Sequence, residues 1–134
     1  VGLLGLALAD RVRRVVGVEA EGSAAADFRY NARDLDHVEL VEGTVERVLP
    51  TLEGPIEMLV LDPPRSGAGK RVGGEIARLC PRRIAYVSCD PATLARDARY
   101  LTEAGFHLEE VQPLDLFPQT YHVEAVALFS GPED

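Results

Sequence analysis

Only two cysteines, Cys80 and Cys89, occur in the 134 residues. Two are too few for a disulfide framework, and both fit a reducing cytosol. Neither has a second cysteine or a histidine at metal-ligand spacing, which argues against zinc. No apolar run approaches the roughly 20 residues that a bilayer-spanning helix needs. No signal-peptide pattern opens the chain. Positive charge is also in deficit. The net charge of −8 argues against a general nucleic-acid clamp, because phosphate affinity comes from Lys and Arg. The local basic spots (Arg11, Arg13 and Arg14; Lys70 and Arg71; Arg82 and Arg83) are small. There is no initiator Met, and Val1-Gly2-Leu3-Leu4-Gly5 begins abruptly, as a fragment of something longer would.

What is present is the material of one globular domain. The 46% apolar content is enough for a real core in a chain this long. Strand-like and helix-like runs alternate, which implies an α/β sheet of mainly parallel type. Leu3 to Asp10 reads as the first turns of a helix, and Arg14 to Glu19 as a strand ending in an acid. A helix is expected over Ser23 to Leu35 with Ser23 as its N-cap. A short strand over Val38 to Val41 and a short helix over Val45 to Leu52 follow. Ile56 to Leu61 is a continuous apolar run of the kind that a strand buried on both faces requires. After a Gly-rich loop at Ser66 to Gly69, a helix is expected over Val72 to Cys80 and a buried strand over Ile84 to Val87. Thr93 to Ala104 is a helix stopped by Gly105. His107 to Leu116 and Val123 to Phe129 are the last strands.

Chemistry gathers at strand ends, where open α/β sheets bind ligands. Glu19 closes the first strand. In nucleotide-binding folds an acid beyond the glycine loop accepts hydrogen bonds from ribose hydroxyls. Here the glycine loop is only a remnant, Gly2 and Gly5. Asp62-Pro63-Pro64-Arg65 closes another strand. A residue before proline is kept out of helical geometry, so the two prolines hold the chain extended and fix where Asp62 and Arg65 point. Ser88-Cys89-Asp90-Pro91 closes a third, with Cys89 just before a helix start. A helix N-terminus favours the thiolate, the nucleophilic form, and the adjacent Asp90 opposes it. Cys80, on an apolar helix face, reads as inert packing. Glu124 opens the last strand beside His122. An acid flanked by apolar residues there suits a general base, and His122 is the alternative.

At these residues the chain resembles the TrmA/RlmD family of S-adenosylmethionine-dependent RNA (uracil-5-)methyltransferases. The strings that carry the resemblance are Asp-Pro-Pro-Arg, Ser-Cys-Asp-Pro and Phe-Pro-Gln-Thr-Tyr-His-Val-Glu, residues 62–65, 88–91 and 117–124. The match is to the C-terminal catalytic domain and runs over nearly the whole chain. It implies a Rossmann-like class I methyltransferase fold, with a mostly parallel sheet, an antiparallel last strand and a missing first strand. That strand would lie between the second and the fourth. Its absence leaves unpaired backbone groups, costly if buried, so the chain alone is expected to be marginally stable and to bind the donor weakly. The resemblance implies C5 methylation of a uridine in transfer or ribosomal RNA. Cys89 matches the nucleophile that adds to C6, and Glu124 the base that removes the C5 proton. Gly2, Leu3, Glu19, Thr44 and Asp62 match positions around S-adenosylmethionine, and Arg65 matches a substrate-binding position. Leu3 stands where an asparagine is common, and Thr44 where an acid or amide is common. The family reading also implies a cytoplasmic monomer whose grip on RNA comes mainly from an N-terminal domain. Two other readings stay open: an amino-group methyltransferase, and an inactive fragment acting as a binding module.

Overall fold

The computed structural model describes residues 1–132. They form two compact units, one over Val1–Thr51 and one beginning at Leu52.

The first unit opens with a single helical turn, α1 (Leu3–Leu6), and a 3-10 turn at Ala9–Arg11. Strand β1 (Val15–Glu19), helix α2 (Gly22–Ala32) and strand β2 (Val38–Glu42) follow, then the short α3 (Val45–Val48) and a 3-10 turn at Leu49–Thr51. β1 and β2 pair in parallel, from Val15 opposite Val38 to Glu19 opposite Glu42. Helix α2 buries Ala25 and Phe28, three residues apart on one face. A Cβ on Gly17 would lie 2.6 Å from the Phe28 ring, so the glycine lets that ring pack directly on β1. The cap of α2 differs from expectation. Glu21 is the N-cap, its carboxylate accepting from Ala24 N–H at 2.7 Å, while Ser23 lies inside the first turn and donates its hydroxyl to Glu21. The longer Glu side chain reaches back over the turn and takes the orphan N–H itself.

The second unit holds a four-stranded sheet in the order β3-β4-β6-β5. Its strands are β3 (Met58–Leu61), β4 (Arg83–Ser88), β5 (His107–Leu114) and β6 (Glu124–Ser130). β3 and β4 are parallel, and β6 runs antiparallel to both β4 and β5. This matches the mostly parallel sheet with an antiparallel last strand. β1 and β3, which the sequence reading puts on either side of the first strand, each lie at an edge of their own sheet. Pro113 sits in β5, the other edge of the four-stranded sheet, where a missing N–H is tolerated. β4 is the buried strand, with Ile84 and Tyr86 each 1% exposed. β3 is not buried on both faces: Met58 is 43% exposed and the rest of the strand half-buried, because an edge strand has a neighbour on one side only.

Helix α4 (Gly69–Leu79) begins three residues earlier than expected and buries Val72, Gly73, Ile76 and Leu79 on one stripe. Cys80 is exposed rather than packed in the core. It caps α4 in the left-handed conformation, φ 45°, with its N–H on the Ile76 carbonyl, and this swings its side chain off the apolar stripe. Helix α5 (Pro91–Glu103) places Pro91 at its first turn and buries Leu94, Asp97 and Leu101. Gly105, φ 96°, ends it as expected.

Candidate active site

The prolines and the turn chemistry explain the loop that leaves β3. Pro63 and Pro64 keep the chain extended past Asp62, and a turn closes with Gly67 N–H on the Pro64 carbonyl at 2.7 Å. The Asp62 carboxyl is raised above its ordinary value by desolvation. Among the described residues no hydrogen bond reaches it. Asp62 is an exposed residue, and its partly desolvated carboxyl at a strand end is an acceptor open to a donor.

Cys89 occupies the sharp connection between β4 and α5 and is half-buried. Ser88 stitches the connection shut. Its hydroxyl donates to the Asp90 carbonyl at 3.0 Å and accepts from the Asp90 N–H at 3.1 Å. Cys89 is the residue between the two that these bonds join. Asp90 caps α5, accepting from the N–H groups of Ala92 and Thr93 at 3.0 Å each. The Thr93 N–H bond holds the Asp90 carboxyl below its ordinary value against some desolvation, with help from Ala92 and from the charge of Arg65. The helix donors expected to favour a Cys89 thiolate are thus taken up by Asp90.

Glu124 is the first residue of β6 and half-buried. The β4–β6 ladder closes at Ser88 opposite Ala125, so Cys89, just after Ser88, and Glu124, just before Ala125, lie at the same end of this strand pair. Asp62, one residue beyond Leu61, follows the parallel neighbour at the same end, since Leu61 pairs with Tyr86. Asp62, Cys89 and Glu124 therefore lie at one end of three neighbouring strands of one sheet. His122 lies in the aromatic loop before β6. Its ring lies against Tyr121 (centroids 4.4 Å) and edge-on to Phe117 (6.1 Å).

The first unit gathers the remaining candidates. Glu19 Oε1 accepts from the N–H groups of Ala20 and Glu21 at 2.9 and 3.1 Å. Its Oε2 lies 3.8 Å from the Val1 nitrogen, next to Gly2, which caps α1 with φ 81°. Leu3 is 77% exposed. Gly43 N–H donates to the Glu19 carbonyl at 2.9 Å, and the exposed Thr44 follows at the N-cap of α3.

Sequence reading passed over Asp97. It is 3% exposed, yet it accepts from Tyr86 Oη (2.7 Å), Ala68 N–H (2.6 Å), Gly69 N–H (3.3 Å) and the Arg96 guanidinium (2.8 Å). Burial alone would raise its carboxyl. The bonds from Tyr86, Arg96, Gly69 and Ala68 outweigh this and hold it below the ordinary value. Burial and the bond to Asp97 push the Tyr86 hydroxyl well above its usual range. The available signal was an acid at helical spacing between Leu94 and Leu101, on a stripe otherwise apolar.

Residues 53–131 match the model of the tRNA (uracil-5-)-methyltransferase family. The chain belongs to this family. It is 46% identical over 132 residues to an uncharacterized RNA methyltransferase of Streptomyces coelicolor, which covers 96% of this chain and 29% of that protein. A similar RNA methyltransferase of Thermotoga maritima is 49% identical over 121 residues, covering 88% and 28%. The chain thus spans about 30% of the length of the curated relatives it matches. Among solved structures, the Pyrococcus abyssi tRNA (uracil-54, C5)-methyltransferase in complex with S-adenosyl-L-homocysteine superposes with TM-score 0.81 at 32% identity, covering 96% of this chain and 31% of that one. The N-methyltransferase NodS of Bradyrhizobium japonicum superposes with TM-score 0.74 at 14% identity, covering 95% and 78%, a likeness of fold alone. The fold of the family member described here is accordingly the Rossmann-like class I methyltransferase fold.

Proposed function

We propose that this chain is the catalytic part of an enzyme that methylates C5 of a uridine in RNA, with S-adenosylmethionine as donor and a covalent cysteine adduct as intermediate. The observation that carries the reading is the placement of Cys89, Glu124 and Asp62 at one end of neighbouring strands of the β3-β4-β6-β5 sheet. C5 of uracil is a poor nucleophile, and covalent catalysis divides the difficulty into easier steps. The Cys89 thiolate adds to C6, and the electron pair displaced from the C5–C6 bond makes C5 nucleophilic. Bound S-adenosylmethionine supplies an electrophilic methyl group. Glu124 then takes the C5 proton, the double bond re-forms, and Cys89 leaves as thiolate. The place of Glu124 next to Ala125, the partner of Ser88, supports Glu124 over His122 as this base, His122 having its ring against Tyr121 in the preceding loop.

The residues present suit the donor. Glu19 has one carboxylate oxygen fixed by two backbone N–H groups, which orients the other for a ribose hydroxyl. Asp62 offers a desolvated acceptor. Gly2, Leu3 and Thr44 are the further candidates for donor contact, and Arg65 for contact with the RNA. The solved relative crystallised with S-adenosyl-L-homocysteine supports the donor assignment. The family description and that relative make a tRNA uridine the first substrate to test. In the cell, a cytoplasmic monomer is the corresponding expectation.

The test is trapping with 5-fluorouridine RNA and S-adenosylmethionine, using the chain alone and extended N-terminally to the length of its relatives. Fluorine cannot leave C5 as a proton does, so the adduct should survive denaturation and map to Cys89. Absence of an adduct in the extended protein would overturn the reading in favour of amino-group methylation or an inactive binding module.

A further inference from the structure

Three side chains on one face of α5 hold four residues of the loop that follows Asp62. The Arg65 carbonyl accepts from Thr93 Oγ1 at 3.0 Å, and the Ser66 carbonyl from Arg96 Nη2 at 2.7 Å. The Ala68 and Gly69 N–H groups donate to Asp97. Positions 93, 96 and 97 are spaced three and four apart, so they share a helix face. The same helix carries Cys89 immediately before its cap, Asp90. A leucine at position 97 would satisfy packing between Leu94 and Leu101. A buried carboxylate there is costly unless fully bonded, and this one is bonded to the loop. The loop is shaped to match. Gly67 has φ 77°, and a Cβ there would collide with Asp97 Oδ2 and the Arg96 guanidinium.

We infer that the Thr93–Arg96–Asp97 face of α5 is a positioning clamp that sets Asp62 and Arg65 against Cys89. The functional half of this inference rests on the proposed uridine chemistry; the mechanical half does not. None of the three clamp residues is a catalytic residue. They act by fixing the loop that follows β3 to the helix whose start presents the thiol.

The test uses Asp97→Asn and Thr93→Val in the protein extended to the length of its relatives, beside the unsubstituted protein. Amide hydrogen exchange is read at residues 66–69 and in β4 and β6, and the single-turnover rate of Cys89 adduct formation is read with 5-fluorouridine RNA. The clamp predicts about tenfold faster exchange at Ala68 and Gly69 in Asp97→Asn with β4 and β6 unchanged, and an adduct rate lower by about ten- to a hundredfold. Thr93→Val, near-isosteric, removes the Arg65 anchor together with the Thr93 Oγ1 bonds to Asp90, should lower the adduct rate less, and keeps the test open if Asp97→Asn fails to fold. Unchanged exchange in the loop overturns the clamp. Faster exchange with an unchanged adduct rate overturns its positioning role. No adduct in the unsubstituted protein defeats the uridine reading, while the exchange result still judges the clamp.

Discussion

Glu124 and Cys89 each lie one residue outside the Ser88–Ala125 pair that closes the β4–β6 ladder. The chain between them makes a complete helix, a strand and an aromatic loop before it returns. The closeness of the two positions is a property of strand pairing, and it underlies the first prediction.

Cys89→Ala should abolish both turnover and the trapped adduct. Glu124→Gln should still form the adduct on ordinary uridine but release it about 10²- to 10⁴-fold more slowly, the contribution typical of a positioned general base. Denaturing gels with labelled RNA would then show a methylated, protein-linked species in Glu124→Gln. His122→Asn should not accumulate it. Accumulation in His122→Asn instead would transfer the base role to His122.

Two aspartates should respond to pH with opposite signs. Asp97 is held below its ordinary value of 3.8. The unfolded state therefore binds more protons in the acid range, and the stability Asp97 contributes is complete above the ordinary value and lost as pH falls towards the depressed one. Asp62 is raised above that same value of 3.8. Its folded form binds more protons, so the cost of ionising it in the partly desolvated folded state grows as pH rises through the raised value and vanishes below the ordinary one. Asp97→Asn should lower Tm at pH 7, by a margin that shrinks on acidification. Asp62→Asn should raise Tm at pH 7, again by a margin that shrinks. Thermal melts across pH 3 to 7 check both, and equal signs would contradict the assignment.

Gly67→Ala tests the shape of the loop. The positive φ and the approach of Asp97 and Arg96 both oppose a Cβ, so about 2 kcal/mol of destabilisation is expected in urea unfolding. Tyr86→Phe removes one donor from the buried Asp97 and should cost about 1–2 kcal/mol. Combined with Asp97→Asn its effect should be less than additive, since both act on one network.

In the first unit, Gly17→Ala places a methyl against the buried Phe28 ring. Overpacking of this kind costs about 1–3 kcal/mol. Gly17→Ala combined with Phe28→Leu, which withdraws the ring, should recover part of that loss in the same unfolding measurement.

Much was legible in the sequence for physical reasons. Apolar runs such as Ile84–Val87 announce a buried strand because only a covered strand tolerates apolar residues on both faces. The proline pair after Asp62 and the Asp-Pro before α5 announce a stiff exit and a helix start through steric and capping rules that act over a few residues. Strand ends carrying Asp62, Cys89 and Glu124 could therefore be named in advance. Less legible were effects set by distant partners. Met58 is exposed because β3 found an edge. Cys80 left the apolar stripe because the helix ended one residue before it.

The sequence by itself determined the order of elements, the family and the chemical identity of the candidate groups, since these follow from local propensity and from motifs a few residues long. The tertiary structure alone decided that β6 lies between β4 and β5, that Cys89 and Glu124 lie at the same end of the β4–β6 pair, and that Asp97 is a bonded anchor and not a misplaced surface acid. Register and burial depend on which residues far apart in the chain become neighbours, and no local pattern encodes that.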